Sequence, residues 1–501
     1  MKTRPLELAD SLSHGSLARS PFPTWRGLAA ATLTALCVAG CAVGPDYKKP
    51  VIAVPATFKE GVDWQRAQVD PQAAISSTWW RIYQDDALSQ LVEQSLKANQ
   101  SIVTAEAAYR LAQATVDANR ASLFPVVTAG LSGSRSGTGT GAANSGVSST
   151  TGNVAGVRQS VSVTAAASWE PDLWGEVRRE IESARASAEA SDAQLAGVRL
   201  SIATSVATDY FALRQADLDT DSLRQQQTID QRILDITQTA YRQGTASNDD
   251  VLEAQDTLEL AIAELQSTET SREQYEHALA VLTGVPPSGF SIPVVHAYTF
   301  ANPQVPLALP SQLLERRYDV VSAERTAAAA NAKIGAAEAA FFPILDLSAQ
   351  GGFEHNAFAH LLSMPSRVWT LGPDLAATIF DGGARSAAVR EARATYDEDV
   401  ATYRGTVLTA FQSVEDSLSS VNHLQQQTQA YDNVLHRNQQ LFTSEQAQLK
   451  AGTASEQSVL TQQLTLLQAE QAFQDSQSLL TQGSVGLVKN LGGGWQWHKD
   501  E

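Results

Sequence analysis

The residues from which chemistry could be built are few: two cysteines, eight histidines, one glycine-alternating loop and a pair of adjacent acids. His14, His277, His296, His355, His360, His423, His436 and His498 contain no i, i+4 pair, the spacing that lets one helix face grip a metal ion. No Gly-x-Ser-x-Gly elbow presents a nucleophile. Gly137-Thr138-Gly139-Thr140-Gly141 alternates like a phosphate cradle, but neither a helix nor a lysine follows to meet a phosphate. Asp249 and Asp250 lie in Ser247-Asn248-Asp249-Asp250, a capping arrangement whose acids favour the positive end of a helix. The chain therefore reads as a non-enzyme without metal or cofactor. With 54 acids against 36 bases and a net charge of -18 it also lacks the cationic face that nucleic acid requires.

The cysteines have a different use. Lys2, Arg4, Arg19 and Arg26 precede an apolar run, Gly27 to Gly40, that is too short to cross a bilayer as a helix and reads as a signal-peptide core. It ends in Val38-Ala39-Gly40-Cys41, which resembles the bacterial lipobox. Cleavage there leaves Cys41 as an acylated amino terminus and removes Cys37, so the mature chain has no thiol for disulfides or catalysis.

The elements that must position everything else are written twice. Gly244-Thr245-Ala246-Ser247 recurs letter for letter as Gly452-Thr453-Ala454-Ser455, and Gly197 and Gly405 share the same offset of 208 residues. Ser122-Leu123-Phe124-Pro125 answers Ala340-Phe341-Phe342-Pro343 at an offset of 218. Pro171 is followed by no proline until Pro286, and Pro373 by none, as uninterrupted helices demand. Val389, Ala392, Tyr396, Val400, Tyr403, Val407, Phe411, Val414, Leu418, Val421 and Leu424 repeat with the 3.5-residue period of coiled coils. A helix from Glu176 to Gln243 would be roughly 100 Å long, which no compact core accommodates.

Four short segments, Val126 to Ser134, Val157 to Trp169, Ile344 to Phe353 and Arg367 to Phe380, are β-rich and each has the length of a tilted membrane strand. Four such strands cannot close a barrel, and open edges are not tolerated in lipid, so membrane insertion requires several chains to share one barrel. The alternative is small soluble hairpins on a periplasmic rod. The expected organisation is a signal peptide (1–40), an acylated segment (41–85), a first repeat (86–284), a proline-rich linker (285–310), a second repeat (311–491) and a tail (492–501).

Several separated motifs together resemble the TolC-like outer membrane factors, specifically the NodT-type lipoprotein branch. They are Cys41 with Gly44-Pro45-Asp46-Tyr47, Trp79-Trp80 with Asp85, Trp169-Glu170 with Asp172-Leu173-Trp174-Gly175, Phe380-Asp381-Gly382-Gly383, and Leu491-Gly492-Gly493-Gly494-Trp495. The resemblance implies a mainly α protein with a small transmembrane β portion: a homotrimer whose chains give four strands each to a twelve-stranded barrel, continued by a coiled-coil tunnel. It implies passive conduction of small molecules from an inner-membrane transporter of the resistance-nodulation-division type, joined through a periplasmic adaptor. A non-conducting scaffold lipoprotein and a protein-secretion duct are the other readings.

On the same resemblance, Tyr241, Arg242, Gly244, Thr245, Leu449, Lys450, Gly452 and Thr453 form the hairpin tips where the adaptor docks. Asp249 and Asp250, with Ser458 and Thr461 in the second repeat, line the periplasmic entrance, three copies of either acid making it cation-selective. Phe124, Pro125, Phe342 and Pro343 mark helix passing into strand, because proline forces the preceding residue out of helical space. Asp172, Trp174, Gly175, Phe380, Asp381 and Gly382 mark strand passing back into helix.

Overall fold

The computed structural model describes residues 42–55, 58–60, 76–137, 157–303, 305 and 317–495. After a short 3₁₀ turn at Trp79–Tyr83, the first repeat comprises α1 (Asp86–Ala98), α2 (Gln100–Ala121), β1 (Val126–Gly137), β2 (Val157–Trp169), α3 (Glu176–Arg242) and α4 (Asn248–Leu282). The second comprises α5 (Tyr318–Ala339), β3 (Ile344–His355), β4 (Arg367–Ala376), α6 (Ala384–Lys450) and α7 (Glu456–Asn490). α3 and α6 are each 67 residues long, about 100 Å at ~1.5 Å per residue. The fourth strand ends at Ala376, not at Phe380: Thr378 to Phe380 belong to the turn that redirects the chain, and Ile379 and Phe380 stand exposed there.

The strands form one antiparallel sheet in the order β1-β2-β3-β4. Register makes its two faces unlike. Val127, Ala167, Ala349 and Leu371 fall in one cross-strand row, and Leu131, Val163 and Phe353 in another on the same face. The opposite face carries Thr128, Ala166, Gln350 and Thr370, then Ser132, Ser162 and Glu354. Ser132 and Ser162 are hydrogen-bonded at 2.8 Å, and the Ser160 hydroxyl donates to Glu354 at 2.9 Å. An apolar face against a polar one, alternating every residue, is the pattern of a strand between lipid and a wet lumen. Among the described residues no helix is long and apolar enough to cross a membrane. Among the described residues the outer edges of β1 and β4 have no partner strand.

Below the sheet the helices form a layer. Val116 of α2 packs on Ala184 and Ala188 of α3, and Ala186 of α3 on Ala328 and Ala329 of α5. Val320 of α5 then packs on Tyr403, Val407 and Ala410 of α6. Alanine at these seams lets long helices approach closely, and the lateral order is α2-α3-α5-α6. Farther from the sheet α4 and α7 replace α2 and α5 beside the two long helices. Where the exchange occurs, a cluster of Trp79, Trp80, Tyr83, Tyr210, Phe211, Phe300, Val414, Leu418 and Leu487 ties both repeats together. Tyr83 and Ser484 share a hydrogen bond of 2.7 Å inside it. Asp85 caps α1 through the Leu88 amide at 3.0 Å, and the Tyr210 and Tyr298 hydroxyls donate to its other oxygen at 2.8 and 2.9 Å.

Candidate functional site

Both returns from strand to helix use one device. Gly175 and Gly383 precede α3 and α6 with φ of 85° and 92°, a left-handed conformation that glycine alone adopts without penalty. An aspartate then caps the new helix and clamps an arginine. Asp172 accepts from the Val177 and Arg178 amides and from Arg178 Nε at 3.0 Å. Asp381 accepts from the Gly383 and Arg385 amides and from Arg385 Nε at 2.6 Å. The Arg385 guanidinium and these amides hold the Asp381 carboxyl down to about 2. Gly382, also left-handed at φ 64°, completes the second turn. Sequence reading named the acids and missed Arg178 and Arg385, because the acid-to-arginine spacing differs between the repeats.

Aromatic residues lock these returns to the junctions above. Trp174 stacks on Phe342 with ring centroids 4.7 Å apart, and its Nε1–H donates to the Pro343 carbonyl at 2.8 Å. Trp169 Nε1–H donates to the Leu123 carbonyl at 3.0 Å, beside Phe124 and Pro125. Phe124, Phe342 and Phe380 are exposed at this level. Aromatic rings with one polar edge suit the border between hydrocarbon and water.

The amino-terminal strap begins at this border. The Val43 amide donates to the Trp174 carbonyl at 3.0 Å, and a Cβ on Gly175 would lie 2.7 Å from Ala42. The strap then descends between α3 and α5. Arg179, buried, donates to the Val43 and Gly44 carbonyls and pairs with Asp46 at 3.1 Å. Gly44, at φ 101°, passes so close to Gly335 that a Cβ would sit 2.3 Å from its Cα. The Tyr47 hydroxyl donates to Glu324 Oε1 at 2.7 Å, and the Asn331 amide to the Pro45 carbonyl at 2.9 Å. These contacts explain Gly44-Pro45-Asp46-Tyr47, whose role no spacing revealed. Cys41 itself lies outside the described residues, one residue before Ala42.

At the far end both long helices close with the same turn. Gly244 and Gly452 each have φ 75°; their amides donate to the Tyr241 and Leu449 carbonyls, and the Thr245 and Thr453 amides donate to Ala240 and Gln448 at 2.9 Å. This paired pattern satisfies the orphan carbonyls of a helix end. Ser247 caps α4 through the Asp250 amide, and Ser455 caps α7 through the Ser458 amide, both at 3.1 Å. Tyr241 and Leu449 remain exposed. Arg242 folds back on the Thr239 hydroxyl, and Lys450 ends α6 in solvent. Arg232 of α3 reaches across to Glu456 of α7 with two contacts of 2.8 and 3.1 Å.

The four entrance residues do not share one role. Asp250 is committed to the capping box: its carboxylate accepts from the Ser247 amide at 2.7 Å and the Ser247 hydroxyl at 2.9 Å, which holds its proton affinity below the ordinary range. Asp249 is exposed beside it. Ser458 turns back to donate to Glu445 of α6, and the Thr461 hydroxyl donates to its own helix at Gln457. The His355 and His360 rings meet edge to face, and no group of three metal-ligating side chains occurs among the described residues.

Two stretches, 91–285 and 309–493, match the sequence profile of the outer membrane efflux proteins. The chain belongs to that family. It is 32% identical over 476 residues to the probable efflux pump outer membrane protein TtgC of Pseudomonas putida, covering 94% of this chain and 96% of that one. It is 30% identical over 477 residues to the outer membrane protein OprJ of Pseudomonas aeruginosa, covering 93% and 95%. The outer-membrane channel OprN superposes with a TM-score of 0.79 at 29% identity over 91% of this chain and all of that one. The open-state MtrE channel of Neisseria gonorrhoeae gives 0.76 at 27% identity, covering 91% and 98%. This outer membrane efflux protein is thus a channel subunit of an efflux system that reaches from the outer membrane into the periplasm, and the family is one of conduits, not enzymes.

Proposed function

We propose that three copies of this chain close a twelve-stranded barrel and that the conduit passively carries small amphiphiles such as drugs, dyes or solvents. The cargo is delivered by a proton-driven inner-membrane transporter of the resistance-nodulation-division type through a periplasmic adaptor. The supporting observation is the four-stranded sheet with two unpartnered edges, one face apolar and one polar, running directly into helices of about 100 Å. Edge pairing of β4 with the next chain's β1 satisfies every ladder group that lipid would leave bare. Relatives named for toluene and antibiotic efflux point to amphiphilic cargo, and one named for pyoverdine export points to choice by the transporter and not by the duct.

In this reading Cys41 carries the lipid, since Ala42 next to it lies against the aromatic border where an acyl chain enters the membrane. The adaptor docks on the tips through Tyr241, Arg242, Gly244 and Thr245 with Leu449, Lys450, Gly452 and Thr453. Both acids charge the entrance, but the Asp250 carboxylate is held by the cap, so Asp249 is the acid whose oxygens remain free to meet a passing ion. The test is the native mass of the protein extracted from outer membranes in mild detergent, with the lipid read in the same spectrum. Three acylated chains held together are expected, and a stable acylated monomer overturns the shared barrel.

A further inference from the structure

Midway down the helices, well away from both the tips and the barrel, two aspartates from neighbouring hairpins are joined without a cation. Asp219 of α3 is half-buried. Asp475 of α7 and Glu264 of α4 are the charged groups that face it, and among the described residues no Arg, Lys or His pairs with any of the three. Arg214 of α3 and Arg272 of α4 are engaged elsewhere: both bind Asp217, and Arg272 also binds Glu276.

What joins Asp219 to Asp475 is one side-chain amide. Gln215 Nε2 donates to Asp219 Oδ1 at 3.0 Å and to Asp475 Oδ1 at 2.6 Å, spanning the seam between the α3–α4 hairpin and the α6–α7 hairpin. The same amide's oxygen, Gln215 Oε1, is buried with no hydrogen-bond partner. A buried acceptor without a donor is destabilising, because it has given up its water without gaining a partner. With both acids ionised the cluster holds surplus negative charge and an unfilled acceptor. It lacks a hydrogen, and a proton on either carboxyl supplies a donor while removing the repulsion.

We propose that Asp219, Asp475 and Gln215 form a proton-operated clasp between the two hairpins, tight when one proton is bound and slack when both acids are ionised. Burial, then the facing Asp475, push the Asp219 carboxyl up to about 6, and burial also raises Asp475. A carboxyl whose folded pKa exceeds its unfolded value contributes stability at low pH that is lost as pH rises through the folded value. The seam is therefore closed below about pH 5 and loosened above about pH 7, inside the range an envelope open to the medium experiences. Asp475 keeps contact with solvent, which gives the proton its path.

The test uses the full acylated trimer with cysteines replacing Arg232 and Glu456, which face each other across the same seam. Cys37 and Cys41 are the chain's only cysteines, and in the mature protein neither offers a competing thiol. The disulfide-forming rate is measured from pH 5 to pH 8 in the Asp219 background and in Asp219→Asn, an isosteric change, and the ratio of the two cancels the thiol's own pH dependence. The expected ratio is near one at pH 5 and falls roughly three- to tenfold by pH 8, with Asp475→Asn behaving as Asp219→Asn does. A ratio that stays constant across the range overturns the clasp. Restoration of the ratio to one at pH 8 by magnesium or calcium also overturns it, by showing that the carboxylates hold a metal ion.

Discussion

α3 and α6 have the same length, start after the same left-handed glycine and aspartate–arginine clamp, and end in the same glycine turn, yet they live in different surroundings. α3 buries residues along almost its whole course, from Arg179 to Thr237, because α2, α5, α4 and α7 all lie on it. α6 is buried only from Val400 to Val421 and at Leu435, on the side that meets α5 and α7. The related glycines show the difference at one atom. A Cβ on Gly197 would fall 2.2 Å from the Tyr318 ring, whereas nothing lies within 4 Å of one on Gly405. Duplicated sequences have thus been given one seam inside the chain, first repeat to second. In the proposed trimer the bare side of α6 makes the complementary seam, second repeat to the first repeat of the next chain.

The largest expected contrast lies in the buried ion network around Asp217 of α3, which has no counterpart on α6 among the described residues. Asp217 is fully buried, pairs with Arg214 at 2.8 Å and Arg272 at 2.7 Å, and accepts from the Val295 amide, tying α3, α4 and the linker together. Asp217→Asn should cost about 3–5 kcal/mol, because buried Arg214 loses its counter-charge and Arg272 is left with Glu276 alone. Gln425 stands at the related position of α6, exposed. Gln425→Ala should stay within about 0.5 kcal/mol, and chemical unfolding followed by helical circular dichroism compares the two. Equal losses would break the distinction drawn between the helices.

A smaller effect separates the glycines. Gly197→Ala should destabilise each chain by about 1–3 kcal/mol, through overpacking against Tyr318. Gly405→Leu should leave the helical spectrum unchanged and shift the native mass from trimer toward monomer. A trimer that tolerates leucine at 405 would place the seam between chains elsewhere.

The smallest effect is one of pH. Asp381 is held at about 2, below its unfolded value, by Arg385 and two amides. Its contribution is complete above about pH 4 and disappears as pH falls through about 2. Asp381→Asn should therefore lower the melting temperature at pH 7 and leave it unchanged below pH 2, as read in thermal melts at both values. An unchanged melting temperature at pH 7 would show that the clamp on α6 is idle.

Much of this architecture was legible because it is periodic or punctuated. All four strand starts, Val126, Val157, Ile344 and Arg367, coincide with the β-rich runs, and the absence of proline marked the long helices. The buried face of α6 falls on the heptad positions Val400, Tyr403, Val407, Val414, Leu418 and Val421. The end of β4 was not legible: Ile379 and Phe380 have strand propensity, but the chain must turn before Gly382 and Gly383. Contacts between residues far apart in sequence left no periodic trace. Tyr47 with Glu324, Arg272 with Asp217 and Gln215 with Asp475 are ordinary polar residues until the fold brings them together. The entrance was half legible, since the capping spacing of Ser247 and Asp250 was visible while the turning of Ser458 toward Glu445 was not.

The two bare strand edges also dictate how the oligomer can form. A lone chain exposes one edge on β1 and one on β4; joining a second chain hides one edge from each partner and leaves two again. A pair is no better satisfied at its margins than a single chain, and only ring closure removes the last unpaired ladder from lipid. Assembly is therefore cooperative: of the six edges on three chains the first joining hides two, and ring closure by the third chain hides the other four at once.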